Sequence, residues 1–306
     1  MDSTKTKMEM EGLGRRHFIG SVAAAASAAI AGCSKTEKAH EAAYSGEPSP
    51  EQWWINGKYV VHRTVNTDRL SEGIVRARLD GGWMDVKVMP LPARFVEWSL
   101  SERRTRLKDL AHKGFDPKDL DGPHNACVAT YGGWKRDSRF SLNTAYKGMG
   151  FVPDRAQIAD AIEELNEAAR KVVYSGGGFM AQIRKKTAYL AELYSRESRF
   201  DLTKQVSLEL LTEPNFATHT FLNMMANPIA SASFLAYPTY EIRAIPQLLH
   251  PDNPNLTSYE RNLVSYTNTV HNFVHGGNNV HMACIYHVAE VYDDTPSGTG
   301  GGKRIA

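Results

Sequence analysis

The sequence predicts a mainly α fold within an α+β chain: a C-terminal helical bundle, preceded by a small antiparallel β region and a long aromatic loop. Three observations carry this. Apolar residues recur at three- and four-residue steps beyond Pro153, residues 53–89 alternate in pairs around glycine turns, and proline or glycine separates nearly every periodic segment. Hydrophobic residues make up 42% of the 306, and charged residues 23%, which is the balance of a chain that buries a core. Lys+Arg 36 against Asp+Glu 34 leaves a net charge of +2, and that gives no sequence-wide case for binding nucleic acid.

In chain order, Trp53 to Val65 carries an Asn56-Gly57 turn signal between aromatic and β-branched runs, a hairpin pattern. Ile74–Leu79 and Trp83–Met89 alternate around Asp80-Gly81-Gly82 and predict a second hairpin, closed by Pro90 and Pro92. Phe95 to His112 reads as a helix. Gly114 to Pro153 reads as a long irregular stretch holding Tyr131, Trp134 and Tyr146, a length that marks functional loops in compact domains. Ile158, Ile162, Leu165, Ala169 and Val172 then define a helix over Asp154–Tyr174, ended by Gly176-Gly177-Gly178, and Phe179–Ser198 a second. Leu202–Leu211, Phe216–Ala226, Tyr240–Leu249, Tyr259–His275 and Val280–Tyr292 complete the expected bundle. The resulting organisation is a leader over 1–32, a polar tether over 33–50, a β-hairpin, helix and loop region over 51–150, a bundle over 151–295 and a frayed tail over 296–306.

The leader carries an address. Arg15-Arg16 precede His17, Phe18 and Ile19 and a 15-residue, alanine-rich run from Phe18 to Gly32, shorter than the ~18–20 residues that span a bilayer. The pattern resembles the twin-arginine (Tat) export signal. Ile30-Ala31-Gly32-Cys33 directly after it resembles a bacterial lipobox, whose cysteine is acylated and becomes the mature N-terminus. The resemblance covers residues 10–33 and implies export by the Tat translocase. It also implies a protein held on a bacterial membrane by lipid at Cys33, facing the periplasm or exterior, without crossing the bilayer. Tat signals further imply export of folded, often cofactor-bearing, proteins.

Four of the eleven histidines fall between His271 and His287. On a helix, His271 and His275 are one turn apart, and on the next predicted helix His281, Cys284 and His287 step by three along one side. If Gly276-Gly277 folds the two helices into a hairpin, imidazoles and a thiolate converge, a donor set suited to copper or zinc, with His219 or His250 completing the shell or ligating a haem iron. A c-type haem is excluded by the lack of Cys-x-x-Cys-His. Two other roles fit the same residues: hydrogen-bonded interior histidines, or acid/base groups of a metal-independent hydrolase or lyase, with His124 beside Asp121 or His62 beside Arg63 contributing. Once Cys33 is acylated, Cys127 and Cys284 remain, as a disulfide, as ligands or as buried thiols. The functional expectation is a lipid-anchored envelope protein with a His-rich metal or haem site, acting as an oxidoreductase, with a redox protein as its partner, or as a subunit of a redox complex. The alternative is a cofactor-free binding or assembly lipoprotein that contacts its partner through the aromatic loop Tyr131 to Tyr146.

Overall fold

The longest strands of the protein lie where helical periodicity is expected. A computed structural model describes residues 53–114, 121–133, 138–174, 176–296 and 301–306, which fall in one compact unit, Glu47–Ala306. The export and lipidation residues Arg15, Arg16 and Cys33 lie outside the described residues, as does Trp134. Leu202–Leu211 holds strand β8 (Lys204–Glu209), Tyr240–Leu249 is strand β10, and Val280–Tyr292 overlaps strand β11 (Met282–Asp293). The expected C-terminal helical bundle is therefore overturned. The physical reason is that these strands are buried on both faces, so their apolar runs lose the two-residue alternation that separates a strand from a helix.

The hairpins form where the sequence places them. Strands β1 (Trp54–Ile55) and β2 (Tyr59–Val60) turn through Asn56 and Gly57, both at positive φ, and β4 (Ile74–Leu79) pairs with β5 (Gly82–Lys87), with β3 (Val65–Asn66) alongside. Helices α1 (Ala93–Lys113), α2 (Ile158–Tyr174), α3 (Phe179–Leu193), α4 (His219–Ala226) and α5 (Ser258–His275) follow the apolar periodicity. Thr257 and Glu260 cap α5 reciprocally. The expected long loop contains a further hairpin, β6 (Asn125–Thr130) with β7 (Asn143–Gly148). The expected tail contributes β12 (Lys303–Arg304), paired with β11.

With β9 (Ala230–Ser233) these strands make a seven-stranded antiparallel sheet, ordered β12-β11-β10-β9-β6-β7, with β8 also on β11. The sheet closes. Gly150, just past β7, exchanges two backbone hydrogen bonds of 2.8 Å with Val206 of β8, so the ring runs β6-β7-β8-β11-β10-β9 and returns to β6. Side-chain alternation is consistent around the whole ring: Val128 opposes Ala145 and Ala232, Ala232 opposes Ile242, and across the bulge after Arg243 the inward set continues with Ala244, Leu248, Cys284, Tyr286, Gln205, Ser207 and Glu209. Pro246 is tolerated because its missing N–H faces the edge of β10 beyond the end of β9, on the side where the N–H of Leu248 bonds His62.

Each mouth of the barrel is plugged. At the mouth where β8 and β10 end, here the upper one, α4 lies across the opening with Phe221, Met224 and Met225 fully buried. At the lower mouth α1 packs Phe95 and Trp98 on Phe234 and Tyr240, with ring centroids 5.1–6.0 Å apart. The buried Arg103 guanidinium donates to the carbonyls of Pro123 and Met149 (2.8 Å to Met149) and lies against the rings of Phe151 and Tyr194. Among the described residues no helix is long and apolar enough to cross a membrane.

Candidate functional site

Three of the C-terminal histidines meet at the upper end of the molecule. His271 and His275 lie one turn apart on the last turns of α5, with ring centroids 4.7 Å apart, and the ring of His281 stands edge-on to His271 at 6.0 Å. Two side-chain amides hold the approach. Asn268 accepts from the N–H of His281 at 2.7 Å and donates to its carbonyl at 2.9 Å, while Asn272 donates to the carbonyl of Asn279, so the Gly276-Gly277 turn folds residue 281 back on α5. Both glycines have positive φ, the backbone geometry that lets so short a connection reverse.

All three imidazoles are biased towards the neutral form. Burial, with His275 and His281 as neighbours, pushes His271 down to about 4. Burial and the Lys186 ammonium lower His275, and burial lowers His281. A neutral imidazole presents the lone pair that a metal ion takes. Among the described residues no three His, Cys, Asp or Glu side chains already stand in metal-ligating positions.

The other two expected ligands are elsewhere, and the reason is the period of the element. On a helix, residues 281, 284 and 287 share a side; on β11 the side chains alternate, so Cys284 points into the barrel while His281 and His287 point out, about 20 Å apart along the strand. His287 lies buried beneath α5, where its Nε2–H donates to Gln247, whose amide in turn donates to Glu260. Desolvation pushes His287 down to about 3. Cys127 and Cys284 are both free thiols, Cys127 on the outer face of β6 and Cys284 on the inner face of β11, an arrangement that joins no disulfide. His250 accepts from the N–H of Asp252 and packs against Trp54, and His219 opens α4. Asp121 pairs with Arg106.

His62 has a structural assignment. Its Nδ1 accepts from the N–H of Leu248 at 2.9 Å, so Nε2 carries the proton and donates to the carbonyl of Met224 at 2.9 Å. Thr64 donates to the next carbonyl, Met225. Burial pushes His62 down to about 4, keeping it neutral as a pin on the end of α4.

A second constellation, inside the barrel, was not read from the sequence. Gln205 is 0% exposed, and neither its amide oxygen nor its nitrogen has a hydrogen-bond partner. The hydroxyl of Tyr286, opposite it on β11, is also without one, although the Cys284 thiol and Ser207 hydroxyl are close by. Above them Lys147 pairs with the buried Glu209 at 2.7 Å, and Glu209 also accepts from Thr212 and Thr218. Burial raises the Cys284 thiol to about 12 and raises Tyr286 as well, so both stay protonated. Buried polar atoms without partners are rare in folded proteins, and a bound water or other polar molecule is one way of satisfying them. The signal available in sequence was the alternation Gln205, Ser207, Glu209 within an otherwise apolar run.

No protein-family model and no curated protein matches this chain, so these side chains alone carry its functional reading.

Proposed function

We propose that this is a cell-envelope protein that holds one transition-metal ion, of the zinc or copper class, between His271, His275 and His281. The observation that carries the reading is the meeting of three neutral imidazoles from two elements. Two imidazoles on one tetrahedral ion place their ring centres about 5 Å apart, close to the spacing of His271 and His275. Loading needs rotation of the three side chains about χ1 and χ2, which the half-exposed surroundings of His271 and His281 permit. Copper would give the site an electron-transfer role in a redox complex, and zinc a structural one. Acylation of Cys33 would keep the protein on the membrane.

Metal analysis and a cobalt or copper titration of the protein test this. One ion per chain is expected, with affinity lowered about 100-fold by His271→Ala and unchanged by His287→Ala. Because the ring of His271 titrates near 4, proton competition is weak, and affinity should hold between pH 8 and 6, where an ordinary imidazole near 6.5 begins to lose its metal. Protein that takes up no ion, or that keeps it in His271→Ala, ends the assignment.

A second reading is favoured by the unpartnered atoms of Gln205 and Tyr286: the barrel interior would bind a small, uncharged, hydrogen-bonding molecule.

A further inference from the structure

The ring of strands is joined unevenly, and its weakest seam lies between β7 and β8. Along β7 the odd-numbered residues bond β6: the N–H of Met149 donates to the carbonyl of His124, and the register carries that parity up through Lys147, Ala145 and Asn143. The backbone groups of Gly148, Tyr146 and Thr144 therefore point the other way, towards β8. On β8 the odd-numbered residues bond β11, which turns the backbone of Val206, Leu208 and Leu210 towards β7. Gly150 and Val206 meet, and below them the N–H of Asp201 donates to the carbonyl of Val152. Above them, among the described residues, no backbone hydrogen bond joins the two strands, and Tyr146 and Leu210 on its two sides are exposed.

One ion pair bridges the open part. Lys147 from β7 and Glu209 from β8 both point inward and meet at 2.7 Å; the Lys147 side chain keeps 14% of its surface in solvent and that of Glu209 3%, so the pair stands between solvent and interior. Both charges act on the Cys284 thiol, which places them next to the inward group of Gln205, Ser207, Cys284 and Tyr286. Glu209 is also fixed by Thr212 and Thr218, whereas Lys147 makes this side-chain bond alone among the described residues, so its flexible stem is the part free to swing.

We infer that the β7–β8 seam is the entrance to the barrel interior, with Lys147 and Glu209 as its gate, and that what passes is a small uncharged carboxamide bound by the side-chain amide of Gln205. The inference rests on the second reading above, that the interior binds a small uncharged molecule, and adds its class and its route. The unpartnered atoms of Gln205 are one acceptor and one donor of a single amide. A molecule that satisfies both offers a donor and an acceptor side by side, as a carboxamide does; a carboxylate would leave Oε1 without a donor, and an amine would leave Nε2 without an acceptor. Charge is selected against as well, because an ion carried past the one balanced pair would be buried unpaired.

Iodoacetamide is a carboxamide of the right size and also a reporter, since Cys284 shares the inward face of β11 with Tyr286, the residue opposite Gln205. On reaction the thiol proton goes to water, a sulfur–carbon bond forms as the carbon–iodine bond breaks, and iodide leaves. In the full chain carrying Cys33→Ser and Cys127→Ser, Cys284 is the one remaining cysteine of three, and its alkylation is followed by mass spectrometry. The rate should saturate with iodoacetamide and fall when acetamide is added. It should exceed that of iodoacetate, the anion of nearly the same shape, by at least about ten-fold after division by their ratio on free cysteine. Lys147→Ala and the milder Glu209→Gln should each raise the rate about ten-fold, and Arg103→Met, which loosens the far mouth, should leave it unchanged. Equal acceleration by Arg103→Met overturns the entrance, because the reagent then reaches the sulfur through general unfolding. A thiol that is labelled no faster in either gate variant overturns it too. A rate that answers to the gate but is linear in iodoacetamide and indifferent to acetamide keeps the entrance and removes the carboxamide, and the second reading with it: the interior amide then meets water only.

Discussion

The two mouths of the barrel are closed in different ways. The lower one is sealed by aromatic rings and by Arg103, whose buried guanidinium finds carbonyl acceptors and ring faces, with no carboxylate partner among the described residues. The upper one is closed by an eight-residue helix, α4, pinned from outside by His62 and Thr64 and resting on a polar interior that is only partly satisfied. Unpartnered buried polar atoms occur in both parts, the Trp98 indole N–H in the lower seal and the Gln205 amide in the interior; clustered imidazoles are found at the upper end.

Breaking the lower seal should have the largest effect. Arg103→Met leaves the Pro123 and Met149 carbonyls buried without a donor, and the midpoint of urea unfolding should drop by the equivalent of about 3 kcal/mol, with metal uptake by the remaining folded protein unchanged. The upper pin should respond to acid. The folded-state pKa of His62 lies near 4, below the ordinary 6.5, so the unfolded chain binds the extra proton first. The contribution of this residue is therefore complete above pH 6.5 and is lost as pH falls towards 4, on the order of 3 kcal/mol. His287 adds a loss of the same sign that continues to about 3. Unfolding measured at pH 7.5, 5.5 and 4.5 should show this slope, shallower in His62→Gln; a flat profile would remove His62 from the role of pin. The smallest change should come from the interior. Gln205→Leu exchanges two unpartnered polar atoms for methyl groups and should leave stability unchanged or raise it by about 1 kcal/mol. A marked loss of stability would instead mean that the amide is satisfied by a bound molecule, as the second functional reading requires.

Some of this was legible in the sequence. The helices from Ile158 onward announce themselves through apolar spacing and glycine stops. The pair His271 and His275 follows from one helical turn, and His281 from the glycine reversal after it. Cys284 and His287 were misplaced for the same reason that β10 and β11 were misread: a strand covered by a helix on one side and a barrel interior on the other has no polar face to betray its period. The hairpin β6–β7 was missed although Ala126, Val128 and Thr130 alternate with Asn125, Cys127 and Ala129. Its side chains are small and glycines flank it, so it reads as loop until the partners β9 and β8 are known. Closure of the ring, and with it the inward convergence of Gln205, Ser207 and Glu209, depends on contacts between residues far apart in the chain, which no local pattern encodes.

The strap formed by residues 61–64 has a mechanical consequence. Those residues bridge the end of β10 and hold the last carbonyls of α4, and they follow directly on the segment through which the N-terminal residues join the body. A pull delivered through that segment meets the Val61–Leu249 bridge at the end of β10 first, and then the His62 and Thr64 bonds that hold the plug. Tension would therefore fall on one rim of the ring and on its plug together, and leave the opposite mouth unloaded.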